Sequence, residues 1–196
     1  ILLSSIYYYY FLYLTKRDFL PIFLTRKMNK IIIKDNVLDK AIFNSIKNAI
    51  FDCNEGNAFP WFLQNFKVDK EDKERQLVHI FYHDHVINSN YFQSLKPILK
   101  KLKVRALQRI KANVTFKTNK IYSYKYHTDF KTTKNEAVGS TSIFYLHTTN
   151  GPTVFENGKK VDCVENRMVT FPTNMPHSGS THTDNSFRGV INFNWF

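Results

Sequence analysis

Beyond Val104 the apolar residues of the chain recur with a period of two. Seven segments read as short strands: Arg105 to Thr115, Lys120 to Tyr126, Ser140 to His147, Thr153 to Glu156, Lys160 to Val164, Met168 to Phe171 and Phe187 to Trp195. Turn residues separate them, including Asn150-Gly151-Pro152 and Pro172-Thr173-Asn174, and Phe155 to Lys159 reads as a hairpin turn. Side chains alternate faces along a strand, so short strands at this spacing must stack or curl to cover their apolar sides. The expected fold is mainly β with flanking helices (α+β), built as an antiparallel sandwich or barrel.

The helices belong to residues 28–104. Ile31 to Ile33 reads as a strand, after which Asp35 or Asn36 is placed to cap a helix with Leu38, Ile42, Ile46 and Ile50 on its apolar face. Asn54 to Pro60 reads as a loop and Gln76 to Tyr82 as a strand. Tyr91 to Leu102 reads as a second helix, which Pro97 either kinks or opens at its true first turn. No internal repeat or second domain is evident.

The remaining residues, 1–27, have a different character. Five of the 11 Tyr fall within the first thirteen positions, and the uncharged run Ile1 to Thr15 is shorter than the roughly 18–20 apolar residues of a spanning helix. It also lacks the basic start and small cleavage-site residues of a signal peptide. Met28 reads as a natural start, and residues 1–27 are expected to be a non-native or disordered extension, with no membrane role. The formal charge is +12, of which this segment carries +3 (Lys16, Arg17, Arg26 and Lys27 against Asp18). A basic balance suggests a nucleic-acid partner, but Lys- and Asn-rich sequence with many Ile is also what an AT-biased genome produces, so nucleic acid is not favoured. Cys53 and Cys163 lie far apart with no metal-type spacing, as in a reduced, cytoplasmic protein.

Candidate chemistry comes from the seven histidines. In His127-Thr128-Asp129 an extended backbone points the imidazole and carboxylate to one side, where they can share a metal. His177, after the Met168 to Pro172 segment, is placed to add a third ligand from across a barrel. Two His and one carboxylate with open positions suit non-haem Fe(II) and O2 chemistry. His182-Thr183-Asp184 repeats the tripeptide, but the twelve residues after Asp184 contain no His, Asp, Glu or Cys, so it is assigned to a loop. His83-Asp84-His85 reads as a solvated loop or strand end, a role beside the substrate being the sharper reading. On the last segment Arg188, Val190, Asn192 and Asn194 share one face, with Ile191, Phe193 and Trp195 on the other. A guanidinium on that inner face needs an anion, and its fork matches a carboxylate.

With these elements in view, the sequence resembles the Fe(II)/2-oxoglutarate oxygenases. The likeness rests on HTD at 127–129, Tyr145 in IFYLH, NGPTVFENG at 150–158, ENRMVTFP before His177 and Arg188 in FRGVINFNW. The prolyl-4-hydroxylase-like branch is nearest, in particular small marine-phage oxygenases, which carry stretches similar to FPWFLQN (59–65), SLKPIL (94–99) and RIKANV (109–114). The resemblance spans residues 28–196 and implies a double-stranded β-helix (jelly-roll, cupin-like) core over 105–196. It further implies that His127, Asp129 and His177 bind iron and that Arg188 and Tyr145 hold the distal carboxylate of 2-oxoglutarate. Tyr124 and Asn113 are weaker candidates for the cosubstrate pocket. His147 departs from the family pattern and is expected to face away. Val190 stands where many relatives have a hydroxyl, leaving a third carboxylate contact to come from elsewhere.

The implied reaction is hydroxylation of a C–H bond with conversion of 2-oxoglutarate and O2 to succinate and CO2. The substrate reading favoured by the resemblance is a protein or peptide; a nucleic-acid oxygenase or dealkylase and a small-molecule hydroxylase are the alternatives. The dealkylase pattern has a second Arg six residues after the first, where this chain has Asn194. A non-enzymatic cupin-like module would be expected to lack Arg188 or one ligand.

Overall fold

The computed structural model describes residues 30–52, 58–65, 67, 75–130 and 139–196. The expectations for residues 1–27 and for Cys53 fall outside them.

Strands β1 (Ile32–Lys34), β2 (Phe62–Gln64), β3 (Gln76–His83), β4 (Val86–Ile87), β5 (Leu107–Phe116), β6 (Ser140–Tyr145), β9 (Met168–Pro172) and β11 (Phe187–Trp195) form one antiparallel sheet. Its order is β1-β9-β6-β11-β5-β3-β2, with β4 paired to β3. A smaller sheet joins β10 (His177–Ser178), β7 (Thr149–Phe155) and β8 (Lys160–Cys163). From β5 onward the chain passes back and forth between the two sheets, with β5, β6, β9 and β11 in the larger and β7, β8 and β10 in the smaller, which is how a jelly roll is wound. Phe155 and Lys159 close the expected β7–β8 hairpin, with Gly158 at φ 84, a conformation L side chains rarely adopt.

One expected strand is absent. Lys120 to Tyr126 is not a regular strand; an isolated bridge joins its Ser123 to Ser180, just past β10, and a second joins the following His127 to His177 of the small sheet. Those contacts still anchor the segment that carries the first candidate ligand.

Helix α1 (Lys40–Phe51) buries Phe43, Ile46 and Ile50, while Ile42 is 38% exposed. A strict spacing of four drifts around a helix of 3.6 residues per turn, so Phe43 replaces Ile42 on the inner face. Neither expected cap forms, because Asp35 pairs with Arg167 and the N-cap position is Asp39 without a side-chain bond. Leu38 is buried ahead of the helix, its N–H and carbonyl both held by Asn166. The second expected helix divides into a 3-10 turn (Asn90–Leu95) and α2 (Lys96–Leu102), with Pro97 in the first turn of α2. There the missing N–H costs nothing.

Two apolar clusters fill the interior. One lies between the helices and the large sheet and includes Phe43, Ile50, Phe81, Ile98, Phe144, Ile191 and Phe193. The other lies between the two sheets and includes Ile143, Tyr145, Phe155, Val161, Phe171 and Val190. On β5 and β11 the helix side is thus apolar, and the opposite side, facing the small sheet, carries Arg109, Lys111, Asn113 and Arg188. No helix among the described residues is long and apolar enough to cross a membrane.

Candidate active site

That polar side lines a cavity of about 290 Å³ between the sheets. His127 and His177 bring their rings together because their backbones exchange two hydrogen bonds of 3.0 Å, leaving the ring centroids 4.6 Å apart. Asp129 follows, its N–H donating to the Thr173 carbonyl at 3.1 Å. One ligand atom from each of His127, Asp129 and His177 lies within 4.8 Å of the others, the one such cluster among the described residues.

Hydrogen bonds fix two of the three side chains. The His177 Nδ1 bonds the Met175 carbonyl at 3.0 Å, so it carries the proton and leaves Nε2 as a lone-pair donor. His127 has a buried Nδ1 with no partner. The Asp129 carboxylate accepts from Arg109 Nη2 at 3.0 Å, Thr141 Oγ1 at 2.6 Å and Asn194 Nδ2 at 3.0 Å. Arg109 Nε also donates to Asn194 Oδ1 at 3.1 Å, which fixes the amide. Burial alone would raise the Asp129 pKa, but His177, Arg109, Thr141 and His127 together hold it below the ordinary 3.8. Burial likewise keeps the His177 imidazole below its ordinary 6.5, against the pull of Asp129. An ionised carboxylate beside imidazole nitrogens is the donor set a divalent metal needs, so these residues fit the iron that the sequence resemblance implies.

Farther along the same cavity Arg188 is 5% exposed and meets no carboxylate among the described residues. Its Nη2 donates to Thr153 Oγ1 at 3.3 Å, and its Nε is buried with no partner. Tyr145 is fully buried behind Thr153, donating to the same Oγ1 at 2.7 Å. Burial, opposed by Arg188, pushes its phenol up to about 12. Thr153 Oγ1 thus accepts two hydrogen bonds, which leaves its own proton for a ligand in the cavity. Asn113 and Tyr124 line the cavity too, Asn113 paired across β5 and β11 with Val190.

The other histidines stand apart from this cluster. His83 and His85 flank an exposed turn between β3 and β4, as expected. His182 is buried in the expected loop, where Asp184 accepts from the Asn150 N–H and is committed there. His147 is packed between the rings of Phe51 and Phe187, and its Nδ1 accepts from the Gly189 N–H at 3.2 Å. Burial, then Lys47, pull its pKa from 6.5 to about 4. Between those values the unfolded chain takes up a proton that the folded chain refuses, so stability is lost as pH falls through this window. The loss is expected to approach about 3 kcal/mol, and in urea titrations from pH 7 to 4 a His147→Gln variant should show a flatter profile than the parent.

No protein-family model matches the sequence, and no curated protein does. Solved structures match its fold. One is the viral collagen prolyl hydroxylase of Paramecium Bursaria Chlorella virus-1 in its 2OG complex, at TM-score 0.58 and 12% identity over 87% of this chain and 97% of that one. A 2OG-Fe(II) oxygenase from Burkholderia pseudomallei gives 0.58 and 11% identity, covering 84% of each chain. A Trichoplax adhaerens prolyl hydroxylase, in complex with a fragment of the hypoxia inducible factor oxygen degradation domain, gives 0.56 and 11% over 85% of this chain and 84% of that one. The chain has the fold of the 2-oxoglutarate oxygenases. Its two sheets contain the double-stranded β-helix core of that fold, and β1 to β4 extend the larger one.

Arg109, Thr141, Asn194 and Thr153 were not singled out as site residues from sequence. The available signal was the alternation Arg109, Lys111, Asn113, Thr115 along β5, which by itself also describes a strand with a solvated face.

Proposed function

We propose that the protein is an Fe(II)- and 2-oxoglutarate-dependent dioxygenase that hydroxylates a C–H bond of a protein or peptide, in the manner of a prolyl hydroxylase. The observation that carries this reading is one cavity with a two-histidine, one-carboxylate cluster at one position and, at another, a buried arginine that pairs with no carboxylate among the described residues. When bound, iron supplies the oxidising chemistry by which O2 and 2-oxoglutarate become succinate, CO2 and a hydroxyl on the substrate.

The chain's own residues prepare that chemistry. His127 and His177 offer nitrogen lone pairs, and Asp129 offers a carboxylate whose rotation is stopped by Arg109, Thr141 and Asn194. Arg188 binds the distal carboxylate of 2-oxoglutarate in two-point fashion, with Thr153 donating a third bond and Tyr145 holding Thr153 in place. Asn113 and Tyr124 complete the cosubstrate wall. Ile143 and Val190 line the cavity between polar groups and keep water from the reacting carbon.

Two observations favour a peptide over the alternatives. Two of the fold's neighbours are named prolyl hydroxylases, one of them bound to a peptide. Asn194, at the position of the dealkylase's second arginine, is engaged in holding Asp129. The test is succinate release from 2-oxoglutarate with Fe(II) in the presence of peptide, oligonucleotide and metabolite pools. Stimulation by the peptide pool is the expected outcome, and stimulation by oligonucleotides alone would reject the peptide reading.

A further inference from the structure

Of the four cations that line the cavity among the described residues, the proposed reaction employs two, Arg109 and Arg188, and gives no role to Lys67 or Lys111. Arg109 is paired with Asp129, and Arg188 is reserved for the cosubstrate. Lys111, on β5 opposite Asn192, also faces the cavity. Its Nζ donates to Gln64 Oε1 at 2.9 Å, and that oxygen also accepts from Gln76 Nε2 at 3.3 Å. Gln64 is neutral, so among the described residues the ammonium has no ion-pair partner, and Asp129 is the carboxylate whose charge favours its protonated form. Among the described residues the cavity wall holds Lys67, Arg109, Lys111 and Arg188 against the single carboxylate of Asp129. The mismatch has a cost: burial first, then Arg109, push the Lys111 amine down to about 8.

The direction of the side chain separates it from the cosubstrate. Gln64 lies on β2 and Lys111 on β5, with β3 between them, so the lysine reaches across β3 and away from β11, where Arg188 sits. This wing of the cavity is left to the second substrate. It continues into apolar surface, because Phe62 is 62% exposed and Ile80 39% exposed. Both share the face of Lys111 through the pairs Phe62 with Val78 and Ile80 with Lys111.

We infer that Lys111 binds a carboxylate of the substrate, which is an acidic peptide with Glu or Asp close to an apolar side chain that rests on Phe62 and Ile80. The inference rests on the proposed function and narrows its substrate class. A nucleic-acid backbone would ask for a row of cations matched to successive phosphates. The other unassigned cation, Lys67, is on the cosubstrate side instead, its Nζ 3.2 Å from the centre of the Tyr124 ring, which lies beside Arg188 at Gly179.

The experiment uses short, fluorescently labelled, proline-centred peptides with an apolar flank, in matched Glu and Gln versions. Their binding to the full chain is read by anisotropy, beside a mixed-sequence oligonucleotide. A charge-assisted hydrogen bond adds about 1.5–3 kcal/mol, so the Glu member should bind on the order of tenfold more tightly or better. That preference should vanish in Lys111→Met, return in Lys111→Arg and reverse in Lys111→Glu. Equal affinity of the Glu and Gln peptides, no binding by either, a preference that survives Lys111→Met, or Lys111-dependent binding of the oligonucleotide in their place would each overturn it. Fe(II)-dependent turnover of 2-oxoglutarate by the unmodified protein without peptide keeps the two claims distinct: if it is present while the peptide pairs fail, the substrate inference falls and the oxygenase reading stands.

Discussion

Arg188→Ala is expected to raise the apparent KM for 2-oxoglutarate by roughly a hundredfold or more while the fold persists. The variant removes both prongs of a two-point carboxylate contact, each a charge-assisted bond of about 1.5–3 kcal/mol, and about 1.4 kcal/mol is tenfold in affinity. Arg188→Lys should recover only part, since one ammonium cannot reproduce the fork. Thr153→Val should show a smaller loss, on the order of tenfold, because it removes one donor and the acceptor that orients Tyr145. Succinate release against 2-oxoglutarate concentration reads all three, with thermal melting as the control for folding. An unchanged KM in Arg188→Ala would place the cosubstrate elsewhere.

Asp129→Ala should cost more than a hundredfold in turnover and lose tight metal binding, since changes at residues that merely support a ligand already cost about 10–100-fold. Asp129→Asn should fare little better. Three donors converge on this carboxylate, from Arg109, Thr141 and Asn194, and an amide NH2 in its place would point hydrogens at at least one of them. Asn194→Ala tests the same network from outside, with an expected loss of about 10–100-fold in metal affinity. Isothermal titration with a divalent metal separates this effect from any loss of substrate affinity.

The sequence revealed this site unevenly, for physical reasons. The last strand was readable because a strand between two layers shows both faces in its alternation, so Arg188, Val190, Asn192 and Asn194 could be set against Ile191, Phe193 and Trp195. The helix beginning at Lys40 was readable in kind but not in detail. A regular spacing of four pointed to Ile42, whereas 3.6 residues per turn brings Phe43 to the sheet. The segment before His127 looked like a strand by composition, yet it makes only isolated bridges, a property of its distant partner and not of its own residues. Arg109 and Thr141 were hidden for a similar reason. Their roles exist only because β5, β6 and β11 lie side by side, which puts Arg109, Asn194 and Thr141 on one rung beneath Asp129. Thr153 comes from the other sheet altogether, so no local pattern ties it to Arg188.

The most direct test of the account is Fe(II)-dependent conversion of 2-oxoglutarate to succinate by the unmodified protein and by His127→Ala. The account predicts iron-dependent succinate from the former and almost none from the latter. Full turnover in His127→Ala, or no iron-dependent succinate from the unmodified protein, would contradict it.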